Sequence, residues 1–267
     1  MVMPKTQADS VIIDELNAAI HTGLAPSEFQ LKQWERSARA LLNKSPADAA
    51  EGYQVLGMLA TFSGDVDEVE ANFGKASQLA AGDLLLAHRY ICALVNVGYA
   101  ARALNVLYAI RLPGGLTDPA FCADAIHVLL INGLVHNAAD WMDQCPEEVT
   151  HLLAGDAMNS FDPQWPEVAA AQMATLQVAV AWSDGLHCAE TLLRETLGAR
   201  MFAVTYQFHL IPEFGPALTV RAPVSVESAV ELNFQLAERW AAQLDCSLGC
   251  SLEQLPTLTI LPHAQLS

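Results

Sequence analysis

The eight histidines and six cysteines are the residues of this 267-residue chain best suited to chemistry, and their spacing limits what they can do. His21, His88, His127, His136, His151, His187, His209 and His263 show no ligand spacing among themselves, so surface or hydrogen-bonded core positions are expected for them. His187 and Cys188 are neighbours in sequence, but adjacent residues on a helix point about 100° apart and do not make a base and nucleophile pair. They are expected at a helix start. Cys246-Ser-Leu-Gly-Cys250 is the one close cysteine pair; a metal there needs two more ligands, and only His263 is near, so ordinary half-buried thiols are expected. The chain has no Walker-type or dinucleotide glycine loop, no HExxH and no GxSxG, and Pro113-Gly114-Gly115 reads as a turn between hairpins. Neither catalysis nor a metal or cofactor is therefore expected.

With no catalytic constellation, the residues of interest are those that helices would present to a partner. Residues 56–76, LGMLATFSGDVDEVEANFGKA, carry an ordered pattern when read with Tyr53: Leu56, Gly57 and Ala60 on a first helix, Gly64 at a turn, then Val69, Phe73 and Ala76 on a second. The turn glycine recurs as Gly98, followed by Ala103, Leu107 and Ile110, and again as Gly133, followed by Ala138 and Met142. The intervals are 34 and 35 residues (98 − 64 and 133 − 98). A small residue such as Ala103 or Ala138 lets two helices approach closely, and a large one a turn later fills the space between hairpins. No hairpin of this kind buries its apolar face alone, so the copies must stack. Weaker copies flank the three. Residues 27–43 place Ala38 and Leu42 in the second-helix phase before Ser45-Pro46, and Ala189 and Leu193 repeat that phase before Gly198, a helix C-cap. A Pro-, Asn- and Asp-rich stretch around residues 156–166 interrupts the series as a loop.

In these residues the chain resembles the tetratricopeptide repeat family over about residues 27–198. The resemblance implies a right-handed array of helical hairpins whose usual activity is binding other proteins, as adaptors, co-chaperones or secretion chaperones. In such an array the first helix of each hairpin lines a concave groove. Carried over, that places Glu51, Gln54, Met58 and Phe62 in the groove from the first strong copy, His88, Cys92 and Asn96 from the second, and His127 and Ile131 from the third. Met58, Phe62 and Ile131 have an alternative as core between neighbouring helices, because a register error of one residue turns a side chain by about 100°. Such a groove would take an extended or helical peptide through apolar anchors. Family members that clamp a terminal carboxylate use Lys and Asn; this groove offers Asn96 and no Lys.

After Gly198 the hydrophobic period changes. Phe202, Val204, Tyr206, Phe208 and Leu210 alternate along residues 201–211, a second extended run covers 217–226, Ser228 to Glu231 has capping-box spacing before a helix with Leu232, Leu236, Trp240 and Leu244, and residues 257–262 read as a last strand. The expected architecture is mainly α, with a helical-repeat domain over 1–198 and a small ββαβ unit over 199–267.

Hydrophobic residues make up 52% of the chain, enough for a sizeable core, and the mean hydropathy is +0.25. The longest apolar run, residues 168–182, contains Gln172, Thr175 and Gln177 and falls short of the roughly 20 residues a bilayer requires, so it reads as a buried helix. The amino-terminal segment lacks the pattern of a secretory leader, and the scattered cysteines suit reduced thiols in a cytoplasm. A net charge of −17 argues against nucleic acid and anionic membranes as partners. Residues 112–193 contain eleven acids and no Lys or Arg. The expected function is non-enzymatic binding of a protein or peptide in the groove. The alternative is an acidic immunity or inhibitor protein in which Asp140, Asp143, Glu147 and Glu148 help steer a basic toxin or nuclease.

Overall fold

Polar side chains at regular intervals set where the helices begin. Ser27 accepts a hydrogen bond from Gln30 N, Ser45 from Asp48 N, Asp65 from Glu68 N, Asp83 from Leu86 N and Asp118 from Phe121 N. Each satisfies one of the backbone donors that a helix leaves unpaired at its start. A computed structural model describes residues 7–22, 26–110, 117–149, 152, 176–198, 204–211, 215–244 and 257–263. Among them the protein is mainly helical, with a small three-stranded sheet. The helices of the first part are α1 (Gln7–Thr22), α2 (Glu28–Leu41), α3 (Pro46–Ser63), α4 (Val66–Leu79), α5 (Leu84–Asn96), α6 (Ala100–Ala109), α7 (Pro119–Ile131) and α8 (Val135–Met142). A long helix follows, α9 (Leu176–Leu197).

α3 and α4, α5 and α6, and α7 and α8 pack as three consecutive hairpins, and α3, α5 and α7 also touch in succession. Their turns are built alike. Gly64, Gly98 and Gly133 sit at φ 68°, 74° and 73°, a left-handed conformation that a β-carbon disfavours. In the second turn Gly98 N donates to Val95 O and Tyr99 N to Leu94 O; in the third, 35 residues on, Gly133 N donates to Leu130 O and Leu134 N to Leu129 O. Behind the turns Ala76, Ala103 and Ala138 are fully buried, as is Phe73, and Leu107 nearly so. The first hairpin closes around Gly57: a β-carbon there would lie 2.5 Å from the Phe73 ring. On α2 the buried face is Trp34, Ala38 and Leu41, so the last inward position falls one residue before the expected Leu42.

The carboxy-terminal elements are β1 (Thr205–Ile211), β2 (Gly215–Ala222), α10 (Val226–Gln243) and β3 (Thr257–Pro262), in sheet order β1-β2-β3. β1 and β2 are antiparallel, with Thr205 opposite Arg221, and β2 and β3 are parallel, with Ala217 opposite Thr257. This is the expected ββαβ order, with two boundary corrections. The second strand ends at Ala222, and Ser225 caps α10 by accepting from Ser228 N, so the helix starts before the expected cap at Ser228. Pro223, with no N–H to give the ladder, separates the two. Leu232, Leu236 and Trp240 form the inward face of α10, and Leu244 is half-buried just beyond its end.

α9 joins the two parts. Trp182 Nε1 donates to Ile131 O (2.7 Å), Trp240 Nε1 donates to Ala181 O (2.9 Å), and Arg239 pairs with Glu195 (2.8 Å). His187 and Cys188 lie in the interior of this helix and not at a helix start, because the helix already begins by Leu176. One continuous apolar core runs from Ile13 through the hairpins and α9 to Ile260. No helix among the described residues is long and apolar enough to cross a membrane. Pro113-Gly114-Gly115, the stretch 156–166, Cys246 and Cys250 lie outside the described residues.

Candidate functional site

α5 and α7 present their outward faces to the start of β1, and a cavity of about 520 Å³ lies between them, bounded also by α1 and α3. Its wall includes Met58 from α3, His88, Arg89, Cys92 and Asn96 from α5, Asp124 and His127 from α7, and Val204 with the first two residues of β1, Thr205 and Tyr206. Spacing explains the first group. His88, Cys92 and Asn96 stand four residues apart, so one face of α5 carries all three. Asp83 and Asp118, 35 residues apart (118 − 83), cap α5 and α7 at equivalent places, so the two helices start at the same point of the repeat.

At the centre of the wall Asp124 Oδ2 accepts two hydrogen bonds, from His88 Nε2 and from Cys92 Sγ (3.4 Å). The His88 ring is held edge-on against Phe121, with ring centroids 5.9 Å apart. Asn96 Nδ2 donates to Cys92 O (2.9 Å), and Asn96 O accepts from Val204 N (3.0 Å). His127 Nε2 donates to Tyr206 O (2.9 Å). Thus β1 enters the molecule along hydrogen bonds from two of the expected groove residues. The expected groove is partly filled by the chain's own strand.

Burial works to raise the Asp124 carboxyl, but the hydrogen bond and charge of His88, helped by His127 and Cys92, outweigh it and hold the carboxyl below its ordinary range. The Cys92 thiol goes the other way. Burial, then the charge and hydrogen bond of Asp124, push it well above the usual thiol range, so it stays protonated. A nucleophilic cysteine needs a lowered pKa and a base that takes its proton. Here the thiol hydrogen-bonds to a carboxylate, and that carboxylate is also the partner of the imidazole.

Behind β1 lies a buried carboxylate. Glu190 on α9 accepts from Ala100 N (2.9 Å) and from Tyr206 Oη (2.8 Å), and its other oxygen is 3.9 Å from Arg194 Nη1. α6 has no side-chain cap of its own at Tyr99, so Glu190 satisfies its first turn from a distant helix. Burial raises the Glu190 carboxyl to about 7 despite these donors. Arg194 also donates to Gly98 O (3.3 Å) and lies over the Tyr99 ring.

The structure divides the nine expected groove residues. His88, Cys92, Asn96 and His127 converge on the cavity, and Met58 backs its wall from the core, where it is 1% exposed, in keeping with the alternative reading of that residue. Ile131 does not reach the cavity: it is 0% exposed, in the core, although its repeat-equivalent Asn96 does. Trp182 on α9 bonds to Ile131 O, and the position that the previous repeat leaves open is closed there. Glu51, Gln54 and Phe62 do not line the cavity either; Gln54 is buried, and Phe62 is half-buried against the core. Asp140, Asp143, Glu147 and Glu148 are exposed, and none of them makes an ion pair among the described residues. Asp124 and Arg89 were missed as site residues. Overlaying α5 on α7 at 35 residues equates them, which was the available signal.

Comparison of the chain with models of protein families, with curated proteins and with solved structures gives no match.

Proposed function

We propose that the protein is a non-enzymatic binding protein, with α2 to α9 forming a right-handed tetratricopeptide-like array over about residues 27–198 and a ββαβ unit at its end. It holds a short segment of a partner protein in the cavity between α5, α7 and β1. The observation that carries this reading is the convergence of His88, Cys92, Asn96 and His127 on one cavity of about 520 Å³, a size that suits a few side chains and not a long peptide. Apolar walls from Met58, Leu85, Val95 and Val128 suit an apolar anchor. Arg89, on the same wall, is partly buried near the charges of Asp83, Asp14 and Glu51, and it adds a cation for a polar group of the partner to meet. The protonated Cys92 thiol, held by Asp124, supports binding over cysteine catalysis.

The inhibitor reading rests on a different observation: Asp140, Asp143, Glu147 and Glu148, at and beyond the carboxy-terminal end of α8, are exposed and make no ion pair among the described residues. One experiment separates the two. A photo-crosslinking residue at Leu85, on the exposed rim, identifies the bound chain, and calorimetry on that purified partner follows. Leu85→Asp and Arg89→Ala are expected to weaken binding about tenfold or more, while reversal of the four acids changes it by less than about twofold. The opposite ranking, with steep salt dependence, selects the inhibitor reading. If neither set changes affinity, binding in this cavity is refuted.

A further inference from the structure

We infer that His88, Cys92 and Asp124 form a binding site for a divalent transition-metal ion of the zinc class, open toward the cavity. The inference stands on the donor set and does not need the proposed partner. The three residues offer an imidazole nitrogen, a sulfur and a carboxylate oxygen, all within 4.8 Å of one another. In tetrahedral zinc sites, metal–ligand lengths of about 2.0–2.3 Å put ligand atoms roughly 3.3–3.8 Å apart. The 3.4 Å between Cys92 Sγ and Asp124 Oδ2 already falls in that range. The ion requires His88 and Asp124, now in direct hydrogen bond, to move apart and make room for it.

Several features distinguish this cluster from a chance meeting of polar groups. His88 and Cys92 stand one turn apart on α5, and Asp124 faces them from α7, so two packed helices and no loop hold the donors. The Phe121 edge fixes the His88 ring. Charge also balances: a thiolate, a carboxylate and a neutral imidazole around a divalent ion sum to zero, which a largely apolar cavity tolerates far better than a lone charge. On binding, an Sγ–metal bond replaces the Cys92 S–H bond and that proton leaves to solvent, while His88 coordinates through Nε2 with its remaining proton on Nδ1. Sulfur and imidazole select zinc-class ions over magnesium or calcium. Because the cluster lies on the cavity wall, the fourth position faces the cavity, where water or a donor atom from a ligand completes the shell.

The test is a titration of the full chain, stripped of metal, with Co²⁺ and then Zn²⁺. One equivalent of Co²⁺ is expected to give a thiolate-to-cobalt charge-transfer band and the visible bands of tetrahedral cobalt, both abolished by one equivalent of Zn²⁺. Cys92→Ser removes the charge-transfer band, and His88→Gln and Asp124→Asn each weaken Zn²⁺ binding by about 100-fold or more, since even outer-shell changes cost 10–100-fold. The paired variant Cys246→Ser, Cys250→Ser leaves the band unchanged. Should Cys92→Ser fail to fold, alkylation of the folded wild type with peptide mapping gives the same answer, since Zn²⁺ must protect Cys92. No band at one equivalent, a band lost in the Cys246, Cys250 variant, or no protection of Cys92 overturns the site.

Discussion

At the residue scale, two contacts decide more than their neighbours do. Gly57 lies under the Phe73 ring with no room for a β-carbon, whereas Gly74, on the same hairpin, has nothing within 4 Å. Gly57→Ala is therefore expected to cost about 1–3 kcal/mol by overpacking, and Gly74→Ala to add about 0.5–1 kcal/mol by stiffening α4. Denaturant midpoints of the two variants check the opposite signs. Glu190 makes a prediction about pH. Its carboxyl is raised by burial to about 7 in the folded protein, against an ordinary value of 4.5. The folded state thus keeps a proton that the unfolded chain has lost, and this residue's contribution to stability is present below about 4.5, falls as pH rises and is gone above about 7. Glu190→Gln keeps an oxygen for Ala100 N and Tyr206 Oη, so the difference in stability between wild type and variant is expected to shift in favour of the variant across that window. Chemical unfolding at several pH values reads it; a constant difference refutes the assignment.

At the element scale, the caps and turns explain why the hairpins were legible. Gly64, Gly98 and Gly133 mark their positions because a left-handed turn excludes most residues, and Asp83 and Asp118 mark the next helix starts because an unpaired N–H needs an acceptor. Edges are less legible. On β3, Ile260 N donates to Asn233 Oδ1 (2.9 Å) and Ile260 O accepts from Asn233 Nδ2 (2.7 Å), so a side chain from α10 stands where a further strand would pair. Asn233→Ala is expected to cost about 1–3 kcal/mol, since it leaves both backbone groups without their partner, and Asn233→Asp, which sets a carboxylate against Ile260 O and Ala229 O, to cost at least as much. Thermal unfolding ranks the two. On α8 the acids lie against the helix dipole: Asp143 is the C-cap and Asp140 is in the last turn. Asp143→Lys is expected to stabilise the protein by about 0.3–1 kcal/mol at low salt and by less at high salt. A loss of stability would mean that Asp143 has a structural partner.

At the scale of the whole molecule, α9 and β1 tie together the two parts that the change of hydrophobic period separates at residue 198. Trp182 reaches α7, Trp240 reaches α9, Val204 reaches α5 and Tyr206 reaches both His127 and Glu190. Calorimetry is expected to show one unfolding transition with equal calorimetric and van't Hoff enthalpies. Two resolved transitions would mean that these contacts do not couple the parts. The sequence by itself determined the hairpins, their period, the ββαβ order and one face of α5, because these follow from local rules: helical spacing, capping, turn chemistry and strand alternation. Only the tertiary structure decided which face was open. Ile131 and Asn96 hold equivalent places in their repeats, yet Trp182 bonds over one and Val204 over the other, and those partners lie 51 and 108 residues further along the chain (182 − 131 and 204 − 96). Asp124 joined His88 and Cys92 for the same reason: the meeting of two helices is set by packing between them, which spacing within either one does not contain.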